Sequence, residues 1–240
     1  MSPLISVIIP TRNSGRTIEK CLISIQNQTY PDIEIIVVDN FSTDGTYEIA
    51  GKYTERAYQK WPERTQQKNY GIKQASGEYI CFIDSDMELT SQIIESCVQV
   101  FQNTENVGGI CIPEDSVWEW FFVRIRAFER SFYSDTRIES ARFFRLTDVR
   151  MVGGFEEDLI FFEESLLPQK IESRLHRSTY HRIGDIINHH EGSISIGSWL
   201  AKKYYYGKSL NEYKKKVKEI GITATADSQI GIIERYMIFL

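Results

Sequence analysis

Apolar runs and amphipathic segments alternate along the first 112 residues of the chain. Four runs have mostly apolar side chains and the length of strands buried on both faces of a sheet: residues 4–10, 33–39, 79–84 and 107–112. The segments between them have helical spacing; in the first, Ile18, Cys21, Leu22 and Ile25 fall on one helical face. Strands that alternate with helices predict an α/β fold with a mostly parallel central sheet, covered by helices on both faces.

The pattern becomes less regular after residue 112. The candidate elements are a strand, a glycine-acid loop followed by a helix, and two short strands, at residues 139–146, 151–171, 178–183 and 185–190. The last two suggest a hairpin around Gly184. A polar, tyrosine-rich helix is predicted from Gly197 onwards.

This change of pattern predicts the organisation of the chain. We expect one α/β domain over residues 1–196, with an N-terminal half of residues 1–112 and a C-terminal half of residues 113–196. Residues 197–240 are expected to form a helical extension rich in lysine and tyrosine.

Composition and charge exclude several classes of protein. With 42% hydrophobic and 25% charged residues, the 240-residue chain has the composition of a globular domain. A net charge of -5 argues against a nucleic-acid partner, because phosphate binding requires an excess of basic residues. No apolar run reaches the roughly 20 residues of a membrane helix. A strand begins almost at the N-terminus, so no signal peptide is expected.

The four cysteines, Cys21, Cys81, Cys97 and Cys111, lie far apart and form no C-x-x-C pair. Three of them fall inside apolar segments. We interpret them as reduced, buried thiols, and not as zinc ligands or a disulfide framework, which favours a cytoplasmic protein.

Two segments combine basic and aromatic residues. Seven arginines lie between Trp118 and Arg150, and seven lysines between Lys202 and Lys218. They are either solvated helices with snorkelling side chains or a surface for anionic lipid or a lipid-linked phosphate. In the first segment, Arg142 and Arg145 are either surface charges or ligands of an acceptor phosphate.

Two aspartates follow the third apolar run directly, in the sequence Asp84-Ser85-Asp86. Alternate side chains of an extended segment point the same way, so both carboxylates can approach one cation. Asp39 ends the second run, and parallel sheets bind ligands beyond the carboxyl ends of their strands. The alternative is a solvated acidic loop. Glu88 is expected in solvent or at the start of the next helix.

Glycine-rich phosphate loops are absent: neither G-x-x-x-x-G-K-[ST] nor G-x-G-x-x-G follows the first strand. A bound nucleotide would therefore depend on the acids at the strand ends and on a metal. Mg²⁺ or Mn²⁺ suits such oxygen ligands and completes its shell with water and substrate phosphate.

Four motifs, in order, resemble those of family-2 glycosyltransferases of the GT-A fold. They are "SVIIPTRNSGRTIEKCLISIQNQTYPDIEIIVVDNFSTDGT", "KNYGIKQASGEYICFIDSD", "GGFEEDLIFFEE" and "HHEGS". The similarity extends from Ile5 to Ser193. It implies metal-dependent, inverting transfer of a sugar from a nucleoside diphosphate, UDP before GDP, to a hydroxyl or polyprenyl-phosphate-linked glycan.

The resemblance also implies residue roles. The residues implied to line the nucleotide site are Pro10, Thr11, Asn13, Asp39, Arg64, Lys68, Asn69, Asp84 and Ser85. Within this set, Asp84 would touch the ribose or the sugar. Asp86 would bind Mn²⁺ or Mg²⁺, with Asp84 nearby and with His189 favoured over His190. Glu164 would be the catalytic base, and Glu163 is its neighbour in the motif.

Departures from the family pattern leave alternatives open. Arg12 stands where an acid is common, and Glu164 stands where the base is usually Asp. The Gln-x-x-Arg-Trp motif of processive synthases is absent, so we expect addition of one sugar, or a few, to a discrete acceptor. The protein is expected in the cytoplasm, with the cytoplasmic face of a membrane as the alternative. The alternatives are a nucleotide-sugar-binding protein without turnover and a nucleotidyltransferase on a related fold.

A few further residues have structural interpretations. Glu156, Glu157 and Asp158 are expected to be surface acids of a loop. The double glycine, Gly153 and Gly154, serves either a tight turn or close approach of the loop to a sugar.

Overall fold

The computed structural model of the protein describes residues 2–60, 64–117, 139, 141–159, 163–190, 197 and 212–222. The strands are β1 (Ile5–Thr11), β2 (Ile33–Asp39), β3 (Ala57–Gln59), β4 (Tyr79–Phe82), β5 (Met87–Leu89), β6 (Gly109–Cys111), β7 (Glu114–Ser116), β8 (Phe143–Arg145), β9 (His181–Arg182) and β10 (Ile187–His189). The helices are α1 (Ile18–Gln26), α2 (Thr46–Ala50), α3 (Arg64–Gln74), α4 (Ile93–Asn103), α5 (Leu146–Met151), α6 (Glu163–Leu175) and α7 (residues 212–219).

A seven-stranded sheet with the order β3-β2-β1-β4-β8-β6-β9 forms the centre of the protein. The pairs among β3, β2, β1 and β4 are parallel, and so is β6 with β9, whereas β8 is antiparallel to both of its neighbours. The predicted mostly parallel sheet is therefore confirmed. Thr11 pairs with Asp39 in register, so β1 and β2 end at the same edge.

Two apolar cores cover the two faces of this sheet, because alternate side chains of each strand point to opposite sides. Val7 and Ile9 of β1 join the core beneath α1 and α4, whereas Ile8 joins the core beneath α3, α5 and α6. All three side chains are fully buried. The two-sided burial explains why the strands appear in the sequence as continuous apolar runs.

Helix α3 lies against β1 at Gly71. A Cβ at this position would lie 2.5 Å from Cγ2 of the fully buried Ile8, so only glycine fits without displacing a neighbour. This close packing fixes the distance between α3 and the sheet. The N-terminal part of the same helix carries Arg64, Lys68 and Asn69, which are site candidates.

A separate three-stranded sheet, in the order β5-β10-β7, lies beside the carboxyl ends of the main strands. Strand β10 is antiparallel to β5 and parallel to β7. The hairpin predicted around Gly184 is wrong, because β9 pairs with β6 in the main sheet and β10 belongs to the small sheet. Gly184 instead lies where the chain passes from one sheet to the other.

Helix α7 packs on α6 through an apolar cluster of Leu159, Leu166, Tyr213, Val217 and Ile222. The helix predicted from Gly197 lies largely outside the described residues, as does most of the arginine-rich segment. Among the helices of the described ranges, none combines the length and the apolar character needed to cross a bilayer.

The four cysteines are buried and free, as predicted. Burial raises the pKa of Cys81 and of Cys111 to about 12, so both thiols are protonated and unreactive at neutral pH.

Candidate active site

The carboxyl ends of β1, β2 and β4 bring sequence-distant polar residues to one edge of the main sheet. Thr11 and Asp39 end β1 and β2, and Asp84 follows β4 by two residues. This edge is the usual ligand side of a parallel sheet. Asp39 and Asp84 lie at one edge of the sheet, as predicted, but the expectation that their strands are neighbours is wrong, because β1 lies between β2 and β4.

The loops after β1 and β2 are tied together at this edge. The Asn13 amide nitrogen donates to the Ser42 hydroxyl at 2.7 Å, and the Asn13 side chain accepts from the Thr43 amide at 3.0 Å. Asp39 is fully buried and accepts hydrogen bonds from the Ser42 amide and hydroxyl and from Gln59. Pro10 and Thr11 are buried at the end of β1. Asp39 therefore organises the loop in this structure.

Asp84 lies between two arginines. Its carboxylate oxygens are 3.9 Å from Arg64 and 3.5 Å from Arg142. Arg142 is nearly buried, with 10% of its side chain exposed, and donates to Glu114 at 2.6 and 2.8 Å. Arg142 is thus not the surface charge that one interpretation of the sequence suggested. Arg145 donates to the Val107 carbonyl at 2.9 Å and lies over the Phe101 ring.

Ser85 points away from the two aspartates that flank it. It is buried, and its hydroxyl donates to the Ser14 hydroxyl at 2.7 Å. This contact joins the acidic segment to the loop after β1. The segment is not extended, because the Met87 amide donates to the Asp84 carbonyl at 3.0 Å and closes a turn over Ser85 and Asp86. The alternation expected from an extended segment is therefore wrong, and the two aspartates have different partners.

Asp86 pairs with His189 in the small sheet. The His189 Nε2 lies 3.2 Å from an Asp86 oxygen, and the Nδ1 lies 3.3 Å from Glu114. Burial alone would lower the pKa of His189, but these two carboxylates raise it to about 9. Burial alone would raise the pKa of Asp86, but His189 lowers it. Of the two candidate histidines, His189 is the one beside Asp86.

His190 faces the other way and contacts Glu88 at 2.6 Å. Glu88 was expected in solvent or at the start of the next helix; it lies in β5, where the antiparallel pairing with β10 brings it next to His190. Its side chain is 42% exposed.

Asp86 and His189 offer one oxygen and one nitrogen donor to a divalent cation. No three His, Cys, Asp or Glu side chains in the described part of the chain form a cage that could hold a metal ion by themselves. The donor set fits an ion that takes its remaining ligands from water and a diphosphate. Loading such an ion would displace the proton of His189, since a metal ligand must be the neutral imidazole.

Glu163 and Glu164 begin the described part of α6 and face α3. Glu164 lies 2.6 Å from the Lys68 ammonium and 2.5 Å from Arg64, whereas Glu163 lies 3.5 Å from Lys68 and 3.4 Å from Arg64. The Lys68 side chain is 1% exposed. Burial raises the pKa of Glu164, but the charges of Lys68 and Arg64 together lower it well below its usual range. For Glu163, burial dominates and raises the pKa.

One ionic network connects both parts of the site. Its members alternate in sign in the order Glu164, Arg64, Asp84, Arg142, Glu114, His189, Asp86. The sequence motifs did not include Glu114 or place Arg142 here. Glu114 lies in a strand of three residues, and no spacing rule marks it as a partner of residues 28 and 75 positions away.

Asn69 follows Lys68 on α3 but points elsewhere. Its amide binds the backbone of Phe155 and the carboxylate of Glu157, in the loop between α5 and α6. The three α3 residues predicted near a nucleotide thus divide: Arg64 and Lys68 contact the acids of α6, and Asn69 contacts the loop.

Similar proteins have the same architecture. A mannosyltransferase from Pyrobaculum calidifontis, solved with GDP-Man and Mn²⁺, superposes with a TM-score of 0.68 at 20% identity, over 90% of this chain and 65% of that one. S. aureus TarS 1–349 in complex with UDP-GlcNAc gives a TM-score of 0.61 at 21% identity, over 80% of this chain and 60% of that one. The protein therefore has the GT-A fold of glycosyltransferases.

The sequence comparison identifies the family. The profile of glycosyl transferase family 2 matches residues 6–154, more than half of the chain, so the chain belongs to that family. AglE of Haloferax volcanii is 40% identical over 119 residues, which are 45% of this chain and 39% of that protein. The GalNAc(5)-diNAcBac-PP-undecaprenol beta-1,3-glucosyltransferase of Campylobacter jejuni is 36% identical over 123 residues, 47% of this chain and 39% of that protein. The matched segment thus spans about two-fifths of these relatives.

Proposed function

We propose that the protein transfers a single sugar, with inversion, from a nucleoside-diphosphate sugar to a hydroxyl of a lipid-linked glycan, with a divalent cation at Asp86. The observation that carries this proposal is the ionic network, because it joins the acids after β4 to Glu164 on α6 at one edge of the sheet. A donor-binding group and a base must face one another for direct displacement.

The acids at the strand ends bind the donor. Asp39, with Pro10, Thr11 and Asn13, holds the base and ribose, and Asp84 takes a hydroxyl of the ribose or the sugar. Arg64 and Lys68 lie near the nucleotide, and Ser85 fixes the acidic segment through Ser14. Asp86 and His189 hold Mn²⁺ or Mg²⁺, which when bound supplies Lewis-acid neutralisation of the diphosphate leaving group.

Glu164 accepts the proton of the acceptor hydroxyl as that oxygen bonds to the anomeric carbon. The bond from the anomeric carbon to the diphosphate oxygen breaks, and the nucleoside diphosphate leaves with the electron pair. The lowered pKa keeps Glu164 ionised and able to accept a proton over the neutral range. Glu163 sits beside it, and because burial raises its pKa while that of Glu164 is lowered, Glu163 takes up a proton at higher pH than Glu164 does.

The names of similar proteins suggest the donor and the acceptor. UDP-GlcNAc and GDP-Man are bound by two proteins of this fold, and we favour a UDP-sugar here. The Campylobacter relative's name contains a PP-undecaprenol-linked glycan. The basic and aromatic sequences at residues 118–137 and 202–215 suit such an acceptor and peripheral contact with the cytoplasmic face of a membrane. Arg142, Arg145 and Arg150 are excluded from this role because they make internal contacts.

The test is a panel of nucleotide sugars, with Mn²⁺ or Mg²⁺, assayed for donor hydrolysis and for transfer to an undecaprenyl-diphosphate-linked glycan. We expect metal-dependent turnover of a UDP-sugar that Asp86→Asn abolishes. Glu164→Gln should lower kcat by about 10²–10⁴-fold with UDP affinity retained. Glu88→Gln, which alters an acid of the same segment whose side-chain partner among the described residues is His190, is the matched control and should remain active.

Two results contradict the proposal. If metal-dependent turnover persists in Asp86→Asn, Asp86 is not the metal ligand that the proposal requires. A wild-type protein that binds UDP and Mn²⁺ but turns over no donor favours the alternative of a binding protein, since two cations on Glu164 weaken it as a base.

A further inference from the structure

The loop between α5 and α6, here called the Gly-Gly loop (residues 152–158), is held by side chains from two helices. Gly153 and Gly154 have φ angles of 84° and 68°, the left-handed region that favours glycine. Hydrogen bonds from α3 and α6 then reach the residues that follow. The loop is thus a fixed part of the site wall.

The side-chain amide of Asn69 hydrogen-bonds to the backbone of this loop in the way that a neighbouring β-strand would. Its Oδ1 accepts from the Phe155 amide at 2.9 Å, and its Nδ2 donates to the Phe155 carbonyl at 2.9 Å. The second Nδ2 hydrogen reaches a Glu157 carboxylate oxygen at 3.1 Å. Only a side-chain amide offers a donor and an acceptor in this arrangement. Both of its donor hydrogens are used by the loop.

Gly154 makes room for that amide. A Cβ at Gly154 would lie 2.6 Å from the Asn69 Oδ1, closer than real side chains approach. The positive φ and the short approach both require glycine here. The tight-turn interpretation of the double glycine thus agrees with the structure, whereas close approach of the loop to a sugar stays a prediction.

Phe155 connects the loop to the chemistry. Its ring lies 5.0 Å from the ammonium of Lys68, which also pairs with Glu164, and 5.0 Å from the ring of Phe82 in an edge-to-face contact. Phe82 ends β4, two residues before Asp84. A displacement of Phe155 would therefore act on both the base and the acidic segment.

We propose that Asn69 is a positioning residue for the acceptor: it fixes the Gly-Gly loop so that the acceptor hydroxyl is held against Glu164. This inference rests on the proposed transfer reaction. It differs from the nucleotide contact expected for Asn69, because the amide hydrogens are already bound within the loop.

A second tether lets the role of Asn69 be tested in a folded protein. The ammonium of Lys170, 2% exposed, donates to the Gly154 carbonyl and to Glu156, each at 2.7 Å. Lys216 of α7 contacts Asp158 at 2.6 Å. The loop remains anchored when Asn69 is removed, so Asn69→Ala should fold and loosen only the segment around Phe155. Glu157 and Asp158 are exposed loop acids, as the sequence predicts, whereas Glu156 is half-buried against Lys170.

The experiment compares wild type, Asn69→Ala and the control Lys73→Ala, an exposed position on the same helix. For Asn69→Ala we expect kcat/KM for the acceptor to fall by about 10–100-fold, because small misplacements cost that much. UDP affinity by titration should stay unchanged. The ratio of transfer to donor hydrolysis should fall, because water needs no loop to orient it. Amide hydrogen exchange of residues 152–158 should become faster.

The outcomes separate the alternatives. Weakened UDP binding with an unchanged acceptor KM would assign Asn69 to the nucleotide and overturn the inference. Faster amide hydrogen exchange in the loop with unchanged transfer would also overturn the inference, because Asn69 would then hold the loop without any effect on the acceptor. Wild-type protein that turns over no donor refutes the proposed reaction and with it the acceptor role, whereas loop exchange still reports whether Asn69 holds the loop.

Discussion

The two halves of the α/β domain hold their parts together by different means. The N-terminal half, residues 1–112, supplies most of the apolar core beneath α1 and α4, and the two halves share the core beneath α3, α5 and α6. The C-terminal half contributes charged groups that reach back over long sequence distances; Glu164 pairs with Arg64 across 100 residues and with Lys68 across 96. Apolar burial is non-directional, whereas an ion pair depends on individual atoms. Damage to the apolar cores should therefore lower stability, and damage to the ion pairs that link the two halves should change the chemistry.

The largest effect is expected at Lys68, where apolar burial and ion pairing coincide. Lys68→Met keeps the buried stem but removes the charge beside Glu163 and Glu164. Losing one partner of a buried ion pair costs about 3–5 kcal/mol of unfolding free energy. Because the charge of Lys68 lowers the pKa of Glu164, that pKa should rise, and the acid limb of the kcat/KM profile should move to higher pH. Urea unfolding and a pH–rate profile measure the two effects.

Lys73→Met on the same helix is the control, because Lys73 is exposed. It should leave both measurements at their wild-type values. An unmoved acid limb in Lys68→Met would mean that Lys68 does not tune Glu164, and the contrast between the halves would lose its main support.

A smaller effect, on stability alone, is expected in the apolar core. Ile36 of β2 is fully buried beneath α3. Ile36→Ala should cost about 2–5 kcal/mol of unfolding free energy, the usual range for deleting a buried aliphatic side chain. UDP affinity and the pH profile should not change. The control Ile23→Ala, at a position 42% exposed on α1, should be close to neutral. A shifted pH profile in Ile36→Ala would contradict the expectation that the apolar core affects stability alone.

The smallest effect is expected for an ion pair of the N-terminal half. Arg56 lies 2.7 Å from Glu34, but 41% of its side chain is exposed. Arg56→Ala should cost less than about 1 kcal/mol, because solvent screens exposed pairs. Burial raises the pKa of Glu34, but hydrogen bonds from Ser6 and Ser76 and the charge of Arg56 lower it overall.

The lowered pKa fixes the sign of the pH effect. The contribution of Glu34 to stability is present above its unfolded pKa and is lost as the pH falls through the lower folded pKa. The difference between wild type and Arg56→Ala should therefore shrink in acid. A loss in Arg56→Ala as large as that of Lys68→Met, measured by urea unfolding, would contradict the idea that ion pairs matter mainly where they link the two halves.

The sequence predicted the N-terminal half in most of its elements because its signal is local. The strand predicted at residues 33–39 has those bounds in β2, and the stripe of Ile18, Cys21, Leu22 and Ile25 is buried in α1. Ends were less accurate: the run expected to reach Asp84 ends as a strand at Phe82, because the chain turns there to expose the acids.

The candidate site was predictable only where a motif marks it. Asp84, Asp86 and Glu164 follow from the family resemblance, and the structure brings them into one ionic network. Glu114 and the burial of Arg142 could not be foreseen, since they depend on which strands become neighbours. The same limit explains the wrong hairpin: alternation identifies a strand, but it does not identify the strand's partner.

The close contact between Gly71 and Ile8 limits how far α3 can shift relative to the sheet without disturbing the whole site. Ile8 is fully buried and cannot retreat, so an added methyl group would lift α3 from the sheet. Arg64, Lys68 and Asn69 would then move together, although none of them had changed. The positions of these three polar side chains therefore depend on the absence of a Cβ atom at Gly71.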